Sequence, residues 1–286
     1  MRRYSNLRKK MRVRGIRSTR ESHTVKIVVL IKEVPDTYGN RRLSPETGLA
    51  DRAASDAVPD EIGERALEVA LKVADTHPDT EVVALTMGAA GTSATLRKAL
   101  ATGAASAVQV VDDALIGADL GLTAEVLAAA LRRTGFDLVL TGDRSTDGGG
   151  GVLPAMLAEL LDLPQATALT AIEIGADSLT GTRAVDDGTT TVTADLPAIA
   201  SITERLPEPR MATFKGIMGA KKKPVETLSL ADLGIDYEIG GADDPAARSI
   251  VLALAERPAR QAGVKIVDEG DAGEQLAAFL VENRLA

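Results

Sequence analysis

The sequence contains no cysteine and only two histidines, His23 and His77. Because cysteine is absent, this sequence can form no disulfide, no thiolate zinc site and no cysteine-ligated iron–sulfur cluster, and it has no cysteine nucleophile. Two histidines are too few for a histidine-rich metal site, and neither lies in a motif typical of a Ser-His-Asp triad. We therefore expect no metal site and no nucleophilic catalysis of these kinds.

Aromatic residues are also scarce, with three Tyr, three Phe and no Trp, which leaves little for stacking on nucleic-acid bases. Residues 1–24 carry nine Lys and Arg and one Glu, a net charge of +8. Because the whole chain carries −8, residues 25–286 carry −16. Such an acidic body predicts no nucleic-acid partner. No run of about 18 apolar residues occurs, so we expect no membrane insertion.

The basic tail, residues 1–24, has no apolar core and is not a secretory signal. Its Arg-rich, acid-poor composition is shared with mitochondrial transit peptides. Two other interpretations stay open: a disordered basic extension, and translation from a start upstream of the true one, with Met11 as an internal start candidate. We expect a cytoplasmic protein, or one of the mitochondrial matrix if the tail is a transit peptide.

What the chain does contain is a regular alternation of apolar runs and helical patterns from Val25 onwards. Buried strands are predicted over 25–34, 81–87, 107–111 and 136–141. Helices are predicted over 60–75, 92–101, 119–133 and 152–162. This alternation is typical of βαβ units, so we expect a Rossmann-like α/β fold with a mainly parallel sheet flanked by helices.

The pattern changes after about residue 169. The segments AIEI, SLTGTRAVDD, TTTVTA and AIASITE predict short strands in antiparallel hairpins, added at the edge of the sheet. The last stretch shows little patterning before a helix predicted over 272–283. We expect an α/β domain over 25–225 and a C-terminal arm over 226–286, which either packs on a partner or docks on its own domain.

A glycine-rich turn follows the fourth predicted strand: Gly142–Asp147, then Gly148–Gly151, then a helix. Ligands of open α/β sheets lie at the carboxyl ends of strands, and a helix N-terminus favours an anion. We therefore expect a phosphate here, with Ser145 and Thr146 as hydrogen-bond donors and Asp147 accepting from a ribose hydroxyl. The turn matches neither GxGxxG nor a P-loop, and a flexible glycine loop is the alternative.

A second candidate site is the segment LPEPRMATFKGIMGAKKKP, residues 206–224, which mixes apolar and basic residues in an acidic chain. Exposed apolar side chains rimmed by charge are typical of a protein-contact site. Here Met211, Phe214, Ile217 and Met218 would form it. The alternative is a solvated lysine run beside a buried Phe.

Five blocks of this sequence have a recognisable relative: KIVVLIKEVPD, DEIGERALEVALKV, ALTMG with RKALATGA, TGDRSTDGGGGVLPAMLAELLDLPQAT, and RAVDDGTTTVTADLPAIASITERLPEPRMATFKGIMGAKKKP with ADLGI. Together they resemble the beta subunit of electron transfer flavoproteins over about residues 25–235. The resemblance implies a heterodimer whose alpha subunit holds most of a redox-active FAD. The beta subunit then binds AMP structurally, supports the FAD domain through its body and C-terminal arm, and is not itself an enzyme.

The resemblance also implies partners and contact residues. Electrons would pass from acyl-CoA or other dehydrogenases, as in fatty acid beta-oxidation, towards a quinone oxidoreductase. The implied AMP contacts are Leu30, Asp60, Glu61, Ile62, Gly63, Met87, Gly142, Asp143, Arg144, Ser145, Thr146, Asp147, Gly148, Gly149, Gly150, Gly151, Val152 and Leu153. The implied partner-recognition residues are Pro209, Arg210, Phe214, Ile217, Met218, Lys221, Lys222 and Lys223, with Phe214 as the apolar anchor.

The chain departs from the family's pattern at two places. Gly151, Val152 and Leu153 stand where better-known members carry Asn, Gln and Thr, so the phosphate would depend on backbone N–H groups. Thr37 and Ile62 stand where aromatic residues approach the flavin, and the neighbouring Tyr38 is the candidate to replace them.

Two alternatives remain open at this stage. In a bifurcating flavoprotein a second FAD would occupy the AMP pocket, and such relatives carry an Asp-Gly-Asp-Thr-Ala-Gln-type loop, of which only Asp147-Gly148 is present. In a nucleotide-binding α/β enzyme or sensor, a base or metal cluster would flank the glycine run, where Asp143 and Asp147 are the nearby carboxylates. Few side chains suited to catalysis lie near the glycine run, which favours a binding function over a catalytic one.

Overall fold

A computed structural model describes residues 25–39, 41–235, 249, 251–255, 258–259, 263 and 265–285. The basic tail lies outside the described residues. The chain divides into two compact units, one up to Val251 and one from Leu252. Among the helices that the structure describes, none is both long and apolar enough to cross a membrane.

Strands and helices alternate along the first unit. The strands are β1 (Lys26–Leu30), β2 (Glu33–Pro35), β3 (Ala57–Pro59), β4 (Glu81–Met87), β5 (Ser106–Val110), β6 (Leu138–Gly142), β7 (Gln165–Ile174), β8 (Ser178–Val185), β9 (Gly188–Asp195), β10 (Ala198–Ile202) and β11 (Val225–Leu228). The helices are α1 (Glu61–Thr76), α2 (Ser93–Thr102), α3 (Leu120–Thr134), α4 (Leu153–Leu161) and α5 (Phe214–Ala220). The second unit contains α6 (Ala272–Glu282). The predicted helices agree with α1–α4 and α6 to within one residue at each end.

Nine strands form one sheet in the order β11-β5-β4-β1-β6-β10-β7-β8-β9. The pairs from β11 to β7 are parallel, and the pairs β7–β8 and β8–β9 are antiparallel. β2 and β3 form a separate antiparallel pair. The predicted fold class is confirmed: a mainly parallel sheet, flanked by helices, with an added antiparallel region. β11 extends the sheet to Leu228, past the predicted domain boundary at residue 225.

Two strand predictions differ from the structure. AIASITE was expected among the antiparallel hairpins, but β10 lies between β6 and β7 and is parallel to both. Its five residues are all buried, and an unbroken apolar run is typical of an inner parallel strand. The single strand predicted over 25–34 is divided into β1 and β2, because the carbonyl of Lys32 accepts from the backbone N–H of Asp60 instead of continuing the ladder.

Side chains of β1 alternate between two cores, one on each face of the sheet. Ile27 and Val29 belong to the cluster that includes α1 and α2, whereas Val28 and Leu30 belong to the cluster that includes α3 and α4. This is the period-two alternation of a strand buried on both sides. With both faces covered by helices, the carboxyl ends of the strands are left for the connecting loops.

Candidate functional site

The glycine-rich turn connects β6 to α4 at the carboxyl edge of the sheet. β1 lies between β4 and β6 and is parallel to both, so Leu30, Met87 and Gly142 end their strands at the same edge. Of these three, Met87 packs partly against the core with α3 and α4. Three of the AMP contacts that the resemblance implies thus lie at one edge of the sheet.

Asp60 bonds helix α1 to the turn. Its carboxylate is buried, and Oδ1 accepts from the backbone N–H of Ile62 at 3.1 Å, which caps the helix. Oδ2 accepts from the backbone N–H of Thr146 at 2.7 Å and from its Oγ1 at 2.8 Å. Two predicted contact residues, Asp60 and Thr146, therefore belong to one hydrogen-bonded unit.

The same junction depends on a close approach between β6 and α1. A Cβ added at Gly142 would lie 2.9 Å from Cγ2 of Ile62, a distance that real Cβ atoms essentially never show. Gly63, one turn into the helix, faces the carbonyl oxygen of Leu30. Glycine at 142 thus lets the strand end against the first turn of the helix.

Backbone N–H groups line the second half of the turn. Gly148 and Gly149 donate within the turn, whereas the N–H groups of Gly150, Gly151 and Val152 have no acceptor among the residues that the structure describes. Helix α4 begins immediately afterwards, so its positive N-terminal end adds to these donors. Successive free N–H groups before a helix form an anion site, and the arrangement fits a phosphate.

Asp143 contributes a buried oxygen without a partner. Nε of Arg144 donates to Oδ2 at 3.0 Å, while Oδ1 has no hydrogen-bond partner within the described part of the chain. Leaving such an acceptor unpaired costs about 1–3 kcal/mol. A hydroxyl or amino group of a bound ligand would satisfy it, so this residue also fits a nucleotide.

Three cations surround the middle of the turn. Nζ of Lys32 lies 2.7 Å from Oδ1 of Asp147, an Arg52 nitrogen lies 3.8 Å from Oδ2, and Arg41 donates to the carbonyl of Thr146. Burial raises the pKa of Asp147, but the hydrogen bond from Lys32 is among the contacts that lower it by more, so the pKa lies below its ordinary value. Asp147 thus has ion-pair partners here.

Sequence reasoning missed these three cations. Lys32 carried a usable signal, because it follows the buried run of β1 directly and so had to lie at the ligand edge of the sheet. Arg41 and Arg52 lie in the long irregular connection between β2 and β3, where nothing local indicates what they contact.

The second site is the recognition segment, residues 209–223, which follows β10 and contains α5. Its apolar side chains are turned outwards: Met211 is 92% exposed, Phe214 80%, Met218 55% and Ile217 50%. The alternative of a buried Phe is therefore wrong. A cluster of this kind, with the exposed Lys221 and Lys222 beside it, is typical of a protein-contact surface.

Two predicted recognition residues point their charged groups at the body instead. Arg210 pairs with carboxylates of α1, and its pKa is raised above its ordinary value by hydrogen bonds to Glu68 and Asp75. The amine of Lys223 donates to carbonyl oxygens at the end of α2, and burial lowers its pKa. The sequence did not single out Glu68, although a carboxylate within the apolar stripe of α1 was a usable signal.

The described residues hold no cluster of three or more His, Asp or Glu side chains able to bind a metal ion. The carboxylates of the turn are instead engaged by Arg144 and Lys32. What the site offers is a set of hydrogen-bond donors and acceptors for a ligand.

Sequence comparison relates the chain to one family of known proteins. The profile of the family "Electron transfer flavoprotein domain" matches residues 47–233, which include the turn and the recognition segment. The electron transfer flavoprotein subunit beta of Mycobacterium leprae is 45% identical over 265 residues, covering 91% of this chain and 98% of that protein. The proteins of the same name from Mycobacterium bovis and Mycobacterium tuberculosis are 44% identical with the same coverage. The chain therefore belongs to the electron transfer flavoprotein beta-subunit family.

Proposed function

We propose that this chain is the beta subunit of a heterodimeric electron transfer flavoprotein. It binds AMP as a structural group, supports the FAD domain of an alpha subunit and docks dehydrogenases, so that electrons pass from acyl-CoA or similar dehydrogenases towards a quinone oxidoreductase. The observation that carries the proposal is the row of N–H groups from Gly150 to Val152, which have no acceptor among the described residues and directly precede α4, in a chain that is 45% identical over 265 residues to an electron transfer flavoprotein subunit beta.

AMP would be held mainly by the backbone of the turn. The N–H groups of Gly150, Gly151 and Val152 and the N-terminus of α4 would bind its phosphate. Oδ1 of Asp143 would accept a hydrogen bond from a hydroxyl or amino group of the nucleoside. Because few side chains take part, we expect retention of AMP to depend on the conformation of the turn.

FAD supplies the electron-carrying chemistry when it is bound, and the alpha subunit would hold most of it. Tyr38 is 98% exposed, which suits contact with a partner or its flavin. The C-terminal arm would pack on the alpha subunit. Its helix α6 carries Leu276, Phe279 and Val281, which are exposed in the isolated chain and are suited to an apolar interface.

Dehydrogenases would dock on the recognition segment, with Phe214 as the anchor. Burying a side chain of this size contributes about 1.5–3 kcal/mol. Ile217 and Met218 lie on the same short helix and would flank the anchor.

The deciding experiment is co-expression of this chain with its candidate alpha subunit, followed by chromatography and absorbance spectra of the nucleotides that the purified complex releases. We expect one FAD and one AMP per heterodimer. Two FAD per heterodimer would instead indicate a bifurcating flavoprotein. Failure of every alpha candidate to give a yellow complex would contradict the proposal and favour the alternative of a nucleotide-binding enzyme or sensor.

A further inference from the structure

We propose that Arg210 and Lys223, at the two ends of the recognition segment, are positioning residues that hold Phe214 and its neighbours in a docking-ready arrangement and do not themselves touch the dehydrogenase. The inference rests on the proposed function, because it concerns how the proposed docking surface is held. It assigns to these two cations a role different from that of the exposed Lys221 and Lys222.

Arg210 ties the entry of the segment to α1. Its Nε and its backbone N–H donate to Oε2 of Glu68 at 2.8 and 3.0 Å, and its Nη2 donates to Oε1 at 3.1 Å. Nη2 also donates to Oδ2 of Asp75 at 2.7 Å. With both sides of the guanidinium engaged and Glu68 only 5% exposed, the group is occupied within the chain. Arg is suited to such bidentate pairing because its donors form a rigid fork.

Lys223 ties the exit of the segment to the end of α2. Its Nζ donates to the carbonyl oxygens of Leu100 and Ala104 at 2.8 and 2.6 Å. Carbonyls at a helix C-terminus lack intrahelical donors, and a cation there is favourable. The amine is therefore engaged within the chain.

Between the two ends, α5 lies directly on α2. A Cβ at Gly216 would lie 2.2 Å from the carbonyl oxygen of Ala101, so the two helices approach as closely as glycine allows. Thr213 caps α5 by accepting from the N–H of Gly216 at 3.1 Å. The segment is thus held at its entry, middle and exit, while Phe214 and Met211 remain outside.

Holding the backbone in this way lowers the cost of docking. A segment that is already ordered loses less conformational freedom when its exposed side chains are buried by a partner. Release of one end would therefore weaken docking without changing the electron-transfer step that follows it. This predicts a rise in KM for the dehydrogenase reaction at unchanged kcat.

The experiment compares two pairs of variants in the purified flavin-containing heterodimer. Arg210→Gln is matched by Arg205→Gln, and Lys223→Met by Lys98→Met, since Arg205 and Lys98 are exposed and lie outside the recognition segment. Each control loses the same charge as the variant it is matched to. Where Arg210→Gln does not assemble, Arg210→Lys replaces it, because lysine keeps the charge but loses the fork.

Hydrogen exchange tests whether the segment is held. We expect backbone amides of residues 214–220 to exchange about tenfold faster in Arg210→Gln and Lys223→Met, because loss of an end contact favours local opening. Both controls should exchange like the parent. Equal exchange in the test variants and the controls would overturn the inference.

Electron transfer from a purified acyl-CoA dehydrogenase then tests docking. We expect KM for the heterodimer to rise about tenfold in both test variants, with kcat unchanged and the controls near the parent value. Glu68→Met should raise KM to the same extent as Arg210→Gln, and the double variant should be no worse than either. A rise in Arg210→Gln without one in Glu68→Met would mean that Arg210 touches the dehydrogenase, which contradicts the inference.

Phe214→Ala separates this inference from the proposed function. If Phe214→Ala raises KM but the two test variants do not, only the positioning role is wrong. If Phe214→Ala leaves KM unchanged, the docking surface is wrong and so is the docking role of Arg210 and Lys223. The exchange result still decides whether they hold the segment.

Discussion

The glycine-rich turn and the recognition segment both follow a parallel strand, and both are bonded to helix α1, yet they offer a ligand different groups. The turn offers backbone N–H groups, from Gly150 to Val152, and one oxygen of Asp143. The recognition segment offers apolar side chains that stand largely exposed. Recognition in the first case depends on the shape of the backbone, and in the second on side chains whose backbone is fixed from its ends.

This difference predicts separable consequences of substitution. Changes that disturb the turn should reduce stability and nucleotide content together, because the same hydrogen bonds hold the backbone and shape the site. Changes at the surface of the recognition segment should alter docking alone, since Phe214 and Met211 contribute little to the core. Four predictions test this separation, beginning with the largest expected effect.

Asp60→Ala should destabilise the protein by about 2–4 kcal/mol, because it removes a helix cap and leaves the part-buried N–H and hydroxyl of Thr146 without their acceptor. AMP content of the heterodimer should fall as well. The control is Asp119→Ala, since Asp119 caps α3 by accepting from Leu122 but makes no contact of this kind with the turn. Its loss should cost about 1 kcal/mol and leave AMP bound.

Urea unfolding followed by circular dichroism measures the first effect, and chromatography of released nucleotides the second. Equal losses of stability in Asp60→Ala and Asp119→Ala would show that the bonds to Thr146 contribute nothing. Retention of AMP in a clearly destabilised Asp60→Ala would contradict the coupling of stability and nucleotide content.

Phe214→Ala should raise KM for an acyl-CoA dehydrogenase about ten- to hundredfold, which corresponds to the roughly 1.5–3 kcal/mol of one buried Phe. The heterodimer should assemble and keep its flavin, because Phe214 is 80% exposed and adds little to the core. Val185→Ala, which truncates another exposed apolar residue at the end of β8, is the control and should leave KM unchanged. Unchanged electron transfer by Phe214→Ala at limiting concentrations of the complex would refute the docking surface.

Gly216→Ala should disturb the packing of α5 on α2 at a cost of about 1–3 kcal/mol, because its methyl group meets the backbone of Ala101. We expect KM to rise several-fold and exchange in α5 to become faster. Gly219→Ala makes the same change in the same helix, where an added Cβ meets no atom within 4 Å from other parts of the described chain. Since alanine favours a helix over glycine by about 1 kcal/mol, this control should slow exchange. Similar behaviour of the two variants would show that the close approach is unimportant.

The pH dependence of the recognition segment is the smallest expected effect. Burial raises the pKa of Glu68, but hydrogen bonds from Arg210 lower it by more, so the pKa lies below the ordinary value of 4.5. A carboxyl of this kind stabilises the fold above its unfolded pKa, and the contribution is lost as the pH falls through the folded pKa. We expect exchange in α5, corrected for its intrinsic pH dependence, to be constant from about pH 7 to about pH 5 and faster below about pH 4.5.

The control for this pH step is Glu68→Met, which has no carboxyl to protonate at this position. It should exchange fast in α5 throughout the range, without a step near the lower limit. A step of the same size in Glu68→Met would assign it to another group.

Local patterns sufficed for most of the elements but not for their arrangement. β4 was predicted with the bounds that the structure shows, and α3 to within one residue at each end. The place of β10 was missed, since pairing with β6 joins residues about sixty positions apart and strand order has no local signal.

The same limit applies to the two sites. The glycine-rich turn and the exposed apolar residues could be predicted, because each is formed by residues that lie close together in the sequence. The bond between Asp60 and Thr146 spans 86 positions, and that between Glu68 and Arg210 spans 142. Pairing of polar groups over such separations follows from the tertiary fold, and no periodicity in the sequence indicates it.

The two contacts made from helix α1 limit insertions and deletions within that helix. Asp60 and Glu68 are eight residues apart, so at 1.5 Å per residue their positions differ by about 12 Å along the axis. Deleting one residue between them would shift Glu68 by about 1.5 Å and turn it by about 100°, away from Arg210. We therefore expect the stretch of α1 between Asp60 and Glu68 to accept substitutions at exposed positions such as Glu61, but no insertion or deletion.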